Sequence, residues 1–95
     1  MRVRWTSPAA RDLARIGDYI AEHDTGAAKR VVERIWRRAS DLAAAPLMGR
    51  RGRVENTREL VVGRYPYIVV YRIAGETVEI VAVLHTSRQW PDSFS

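Results

Sequence analysis

The 95-residue chain sets 16 Lys and Arg against 11 Asp and Glu, a net charge of +5, and contains no cysteine. That length suffices for one modest domain, and the absence of cysteine excludes a disulfide framework, a thiolate nucleophile and cysteine-ligated zinc while fitting a reducing cytoplasm. A positive surface attracts nucleic acid, anionic membrane or acidic protein, and because Lys29 is the only lysine the basic residues favour bidentate contacts with phosphate or carboxylate, a bias that genome composition explains equally well.

RVRW at 2–5 alternates charged and apolar side chains, which predicts a short half-exposed strand. The charges at this start leave no apolar core for a signal peptide. No membrane span is expected either, because YPYIVVYRI, the best candidate, is interrupted by Arg72 and falls short of the roughly 18 apolar residues needed. In SPAARDLARIGDYIAEH, Ser7 is the predicted N-cap and Pro8 takes the first helical position, where its missing N–H does no harm. Leu13, Ile16 and Ile20 share one face, Asp12, Arg15, Asp18 and Glu22 lie largely on the other, and the helix is predicted to stop near His23. A second helix opens at Asp24 or Thr25, carries its apolar stripe on Ala28, Val31, Ile35, Ala39 and Leu42, and ends at Pro46. So short a connection predicts an antiparallel helical hairpin.

LMGRRGRVEN, 47–56, reads as a loop. RELVVG and YPYIVVYRI read as strands joined across Gly63–Pro66, AGE at 74–76 as a tight turn, and TVEIVAVLH as the last strand. The predicted fold class is α+β, with an N-terminal strand and an antiparallel helix hairpin packed on a mainly antiparallel sheet that ends in a three-stranded meander. Residues 1–95 read as a single domain, with 91–95 a flexible tail in which Phe94 is expected to fray alone and to gain order from a partner. In YPYIVVYRI one face carries Ile68, Val70 and Arg72 and the other Tyr65, Tyr67, Val69, Tyr71 and Ile73, so periodicity alone leaves open which faces the helices.

Arg50, Arg51 and Arg53 are the densest local charge, suited to phosphate or, preferably, to solvent or an acidic docking partner. Arg58, Arg64, Arg72 and Arg88 sit on strands or their ends and are expected to converge on the sheet face opposite the helices as an electropositive cleft. His85 shares parity with Val81 and Val83 and is more often a structural hydrogen-bonder in such a place, although beside Arg72 or Arg88 it has the makings of an acid/base group. Ser87 with His85 lacks a third member for a triad. Trp90 is a candidate cap on an apolar edge. Two distant histidines and scattered acids form no metal-ligand set, and no cofactor is expected.

Together VRWTSPAARDLARIGDYIAEHD, APLMGRRGRVENTRELVVGRYPYIVVYRI and VEIVAVLHTSRQWP resemble the ParE/RelE toxin superfamily, the ParE-like branch most of all. The Trp-Thr-Ser-Pro-Ala entry to the first helix, Pro-Leu-x-Gly, Arg-Glu-Leu followed by Tyr-Pro, and His-x-x-Arg-x-Trp-Pro are jointly distinctive. The resemblance implies the toxin of a bacterial type II toxin–antitoxin pair. Its cognate antitoxin would carry a ribbon-helix-helix DNA-binding domain, through which alone operator DNA is met, and an acidic or amphipathic segment laid across the toxin. ParE-like members poison DNA gyrase; RelE-like members are ribosome-dependent mRNA endoribonucleases. On the second pattern Arg58, Arg64, Arg72, His85 and Arg88 would be the catalytic set. This chain has no tyrosine after Leu84, where the RelE pattern has one, so no catalytic residue is favoured and gyrase inhibition is the preferred expectation. A non-catalytic basic nucleic-acid-binding module is a further alternative. Arg50, Arg51, Arg53, Arg64, Arg72 and Trp90 are the expected partner-binding residues.

Overall fold

The computed structural model describes residues 1–94. The chain runs β1 (Arg2–Trp5), α1 (Ser7–Ala21), α2 (Thr25–Ser40), a 3-10 turn (Asp41–Ala43), β2 (Arg50–Arg51), β3 (Arg58–Gly63), β4 (Tyr65–Ala74) and β5 (Thr77–His85). The strands make one sheet in the order β1-β5-β4-β3-β2, antiparallel throughout except that β1 lies parallel to β5. This is the predicted α+β arrangement of strand, helix hairpin and meander. Among the described residues no helix is long and apolar enough to cross a membrane.

The N-cap of α1 is Thr6 rather than Ser7. Its hydroxyl oxygen accepts the Ala9 N–H at 3.4 Å, while the hydroxyl and the Thr6 N–H donate to the Ile80 carbonyl at 2.8 and 3.0 Å. The cap is therefore tied to β5, a partner that local sequence cannot display. Asp24 caps α2 by accepting the Ala27 N–H at 2.9 Å, which decides between the two expected candidates. The helix stops at Ser40, and the 3-10 turn then carries Leu42 into the core before Pro46.

Both faces of the sheet are apolar. Against the helices stand Val62, Val69, Tyr71, Val78, Ile80 and Val83, packed on Ala9, Val31, Ile35, Ala39 and Leu42. On the opposite face Ile68, Val70, Val81, Ala82 and Leu84 form a second cluster, covered by Trp90 and Phe94. The β4 parity thus resolves with the tyrosines toward the helices and Arg72 away from them. A bulge opposite Val70 and Tyr71 pairs those residues with Ala82 and Ile80, leaving Val81 as the extra residue. Val81 therefore joins the open face while Val83 stays with the helices, so the parity shared by Val81 and His85 in the sequence does not survive the bulge. Of the expected 91–95 tail, Phe94 meets Trp90 edge-to-face at 6.4 Å and Ser95 lies outside the described residues.

The 47–56 segment departs from a plain loop, because Arg50 and Arg51 pair with Glu59 and Arg58 as the edge strand β2. Tyr71, fully buried, fixes the approach to it: its hydroxyl donates to the Pro46 carbonyl at 2.7 Å and accepts the Gly49 N–H at 2.9 Å. A Cβ on Gly49 would stand 2.7 Å from the tyrosine ring, so the backbone comes this close only without a side chain. That is the physical reason for the glycine in the Pro-Leu-x-Gly motif. The β3–β4 hairpin turns through Gly63 and Arg64, whose φ values of 77° and 73° both lie in the left-handed region that primed hairpin turns need.

Candidate functional site

The candidate basic residues other than Arg64 fall into three settings. On the open face Glu59 is buried at 2% side-chain exposure and accepts from the Arg50 guanidinium at 3.1 Å, the Arg53 N–H at 2.7 Å and the Arg53 guanidinium at 3.3 Å. Burial raises the Glu59 carboxyl, but the Arg53 N–H and the two guanidiniums outweigh it and hold the group below the ordinary glutamate value. Arg53 in turn lies 3.7 Å above the Trp90 ring, a cation–π contact that helps seat Trp90 on the second cluster. The Trp90 Nε1 is buried with no acceptor among the described residues. Arg50, Arg53 and Trp90 thus form one assembly around a buried acid.

The second setting is a hollow of about 560 Å³ at the β2–β3 side of the sheet, lined by Arg51, Arg58 and Arg72 with Asn56, Thr57 and Ile73. Arg58 donates to the Gly49 carbonyl at 2.8 Å. Arg72 donates to Glu79 at 2.8 Å, and Arg4 reaches the same carboxylate from β1. Arg72 and then Arg4 hold Glu79 below the ordinary glutamate value.

The third setting is a hollow of about 380 Å³ at the opposite end of β5, on the helix side, where His85 and Arg88 meet Asp12, Arg15, Tyr19 and Tyr67. The Ser87 N–H and hydroxyl both approach His85 Nδ1, at 3.1 and 2.7 Å. The His85 ring stands edge-to-face with Tyr67 at 5.4 Å. Burial and then the neighbouring Tyr19 push the Tyr67 phenol up, so it remains a proton donor. Asp12 accepts the Val83 N–H at 3.0 Å, satisfying a backbone donor beyond the point where β1 ends.

The expected single electropositive cleft is therefore not present. Arg58 and Arg72 line one hollow, His85 and Arg88 line another, and Arg64 sits in the β3–β4 turn. The cause is topological: Tyr67 pairs with His85 while Arg72 pairs with Glu79, so His85 and Arg72 stand well apart along β4, and the bulge keeps His85 on the helix side. Glu59, Arg15, Tyr19 and Tyr67 were not singled out by the sequence. A carboxylate inside RELVVG is a signal for a paired buried acid, and Asp12, Arg15 and Tyr19 recur at helical spacing on one face.

The family model described as the ParE toxin of the type II toxin-antitoxin system, parDE, matches residues 3–90. The chain belongs to the ParE toxin family. It is 50% identical over 90 residues to the putative toxin Y4kP of Sinorhizobium fredii, covering 95% of this chain and 93% of that one. It is 39% identical to toxin RelE2 of Caulobacter vibrioides, covering 92% and 97% respectively. Among solved structures, the chromosomal ParDE toxin–antitoxin system from P. aeruginosa contains a chain that superposes with a TM-score of 0.82 at 28% identity, covering 92% of this chain and 97% of that one. A chain of the RelBE2 toxin–antitoxin complex from Mycobacterium tuberculosis superposes with a TM-score of 0.66 at 31% identity, covering 88% and 95%. The chain is a toxin of the ParE/RelE superfamily on its ParE-like branch, and pairing with an antitoxin comes with that membership.

Proposed function

We propose that this ParE-family toxin acts in the cytoplasm by binding DNA gyrase and trapping its cleaved-DNA state, and that a cognate antitoxin neutralises it. The observation that favours this over RNA cleavage is the separation of the candidate RNase residues into two hollows, Arg58 and Arg72 in one and His85 and Arg88 in the other. The RelE-like set is thereby not assembled around one phosphodiester: His85 and Arg88 stand without Arg58 and Arg72, the further cations that the pattern would place beside them. Purified toxin added to gyrase from its own source should suppress supercoiling or accumulate cleavage complexes in proportion to toxin. Folded toxin that leaves gyrase untouched rules the reading out. Mapping transcript ends after induction tests the RelE-like reading, which codon-positioned cuts abolished by His85→Ala would establish instead.

For the antitoxin, the groove along the helix hairpin is the apolar docking surface, lined by Trp5, Leu13, Ala14, Val32 and Trp36. Trp36 is 54% exposed there, an aromatic anchor of the kind that dominates binding energy. Acidic antitoxin groups approach the arginines Arg50, Arg51, Arg53, Arg64 and Arg72, whose charge governs association rate and salt dependence. Arg51 is the clean probe of that charge, because removing Arg50 or Arg53 also strips the buried Glu59 of its partners. Arg51→Ala should slow association at low salt, with less effect at high salt, and Trp36→Ala should chiefly speed dissociation. Unchanged kinetics in both variants would remove these surfaces from the antitoxin interface.

A further inference from the structure

The hollow at the end of β5 combines groups that the gyrase reading does not use. Arg15 and Arg88 both line it, and neither forms an ion pair among the described residues. His85 Nδ1 accepts the Ser87 N–H, which leaves the proton of the neutral ring on Nε2, a nitrogen with no hydrogen-bond partner among the described residues. Two phenol rings lie on the same hollow, and Tyr19 is 68% exposed. Ile16 and Val83 add apolar surface. Asp12 is the one carboxylate present: its Oδ2 holds the Val83 N–H, and its other oxygen has no donor among the described residues.

We propose that this hollow binds a nucleoside phosphate, either free or as an unpaired residue of a nucleic-acid strand. Arg15, Arg88 and the His85 Nε2–H supply donors for the phosphate oxygens. Tyr19 and Tyr67 supply aromatic surface for the base, the sequence-tolerant contact by which unpaired bases are held. The free oxygen of Asp12 accepts an amino or imino N–H from the base edge. That carboxylate is also what disfavours an acidic peptide, which would meet the same arginines but bring like charge against Asp12. The volume of about 380 Å³ lies in the range of small-ligand sites, roughly 300–1,000 Å³. The hollow is on the helix side of the sheet, separate from the Arg51, Arg58 and Arg72 hollow.

The test uses the full chain with four probes: adenosine 5′-monophosphate, a short oligodeoxyadenylate, inorganic phosphate and a glutamate-rich peptide. Binding is followed by calorimetry and by amide chemical shifts. Either nucleotide probe should bind with a Kd below about 1 mM, shifting the signals of Tyr19, Tyr67, Val83 and His85. Binding of the mononucleotide identifies a free ligand as sufficient; binding of the oligonucleotide alone assigns the site to a strand. Arg15→Ala and Tyr19→Ala change exposed side chains and should each weaken binding about tenfold or more, while Tyr19→Phe retains it. The proposal is overturned if neither nucleotide binds, if the shifts fall only on other parts of the chain, if both alanine variants bind as the parent does, or if phosphate alone or the peptide binds as tightly as the nucleotides. No arm contains gyrase, so failure here leaves the gyrase reading standing and failure there leaves this one.

Discussion

The two faces of the sheet are both apolar and equally dry at their centres, yet they are covered in different ways. Tyr71 and Ile80 on one face are fully buried beneath two amphipathic helices. Val70 on the other is fully buried too, beneath Trp90 and Phe94 from a segment without regular structure, with Arg53 stacked above. On the helix side, apolar area does the stabilising, at roughly 25 cal/mol per Å² removed from water. On the open side, a few aromatic side chains are held in place by charges that themselves depend on the buried Glu59. Equal burial therefore does not mean equal resistance to change.

Matched truncations give the largest effect. Ile35→Ala empties a site walled by helix and strands and should cost about 4 kcal/mol, a large share of a small domain's stability. Ile68→Ala on the open face should cost about 2 kcal/mol, because Trp90 and Phe94 can settle into the space. Chemical denaturation measures both, and an equal or larger loss at Ile68 would break the distinction between the faces.

Next comes the charge network. Glu59→Gln should cost about 1–3 kcal/mol by leaving two guanidiniums and the Arg53 N–H with a weaker acceptor. The pH dependence follows from the sign of the shifts. Glu59 and Glu79 are both held below the ordinary glutamate value of 4.5, so their stabilisation is fully present above that value and is lost as pH falls through the lowered values. The denaturation midpoint should fall over that acidic window, with a shallower fall in Glu59→Gln. A pH profile identical to the parent's would detach the network from the open face.

Trp90 sharpens the contrast further. Trp90→Ala uncovers the second cluster and should cost about 2 kcal/mol. Trp90→Phe should lie within about 1 kcal/mol of the parent, since it also removes an indole N–H that has no acceptor. A phenylalanine variant as unstable as the alanine variant would show that the indole ring itself, through its stacking with Arg53, holds the cover. The smallest effect belongs to the hairpin linking β3 and β4. Arg64→Gly relieves a left-handed arginine and should stabilise by about 0.5 kcal/mol, acting on both faces alike. A thermal melt that moves the other way would mean the Arg64 side chain makes a contact that outweighs its backbone strain.

Much of this architecture was legible. The strand read at 58–63 is β3 to the residue, and the stripe of Ala28, Val31, Ile35 and Ala39 is the buried face of α2. Periodicity could not choose a face for β4, because both sides of YPYIVVYRI are apolar and only the location of the helices decides. It also could not see the bulge at Val81, since one inserted residue leaves the local composition unchanged while reversing every face beyond it. The site was less legible for the same reason. Arg72 and His85 are both strand arginine or strand-end histidine in the sequence, but their separation depends on register with Glu79 and Tyr67. Thr6 lost the capping role to Ser7 in the sequence because its second partner, Ile80, is distant along the chain.

The parallel pairing of β1 with β5 sets the timing of folding. Arg4 and Glu79, cross-strand neighbours, are 75 residues apart in the chain, and β5 is also the strand that β4 needs on its other edge. The helical hairpin can form early from local contacts, but it has no finished floor to rest on until residues 77–85 have been made. Closing so wide a loop is a slow step, and the surfaces on both sides of the sheet come into existence together when it closes. A nascent chain halted before that point exposes the apolar stripes of α1 and α2 and lacks Val83, His85 and Arg88 of the second hollow, making interrupted synthesis a route to aggregation.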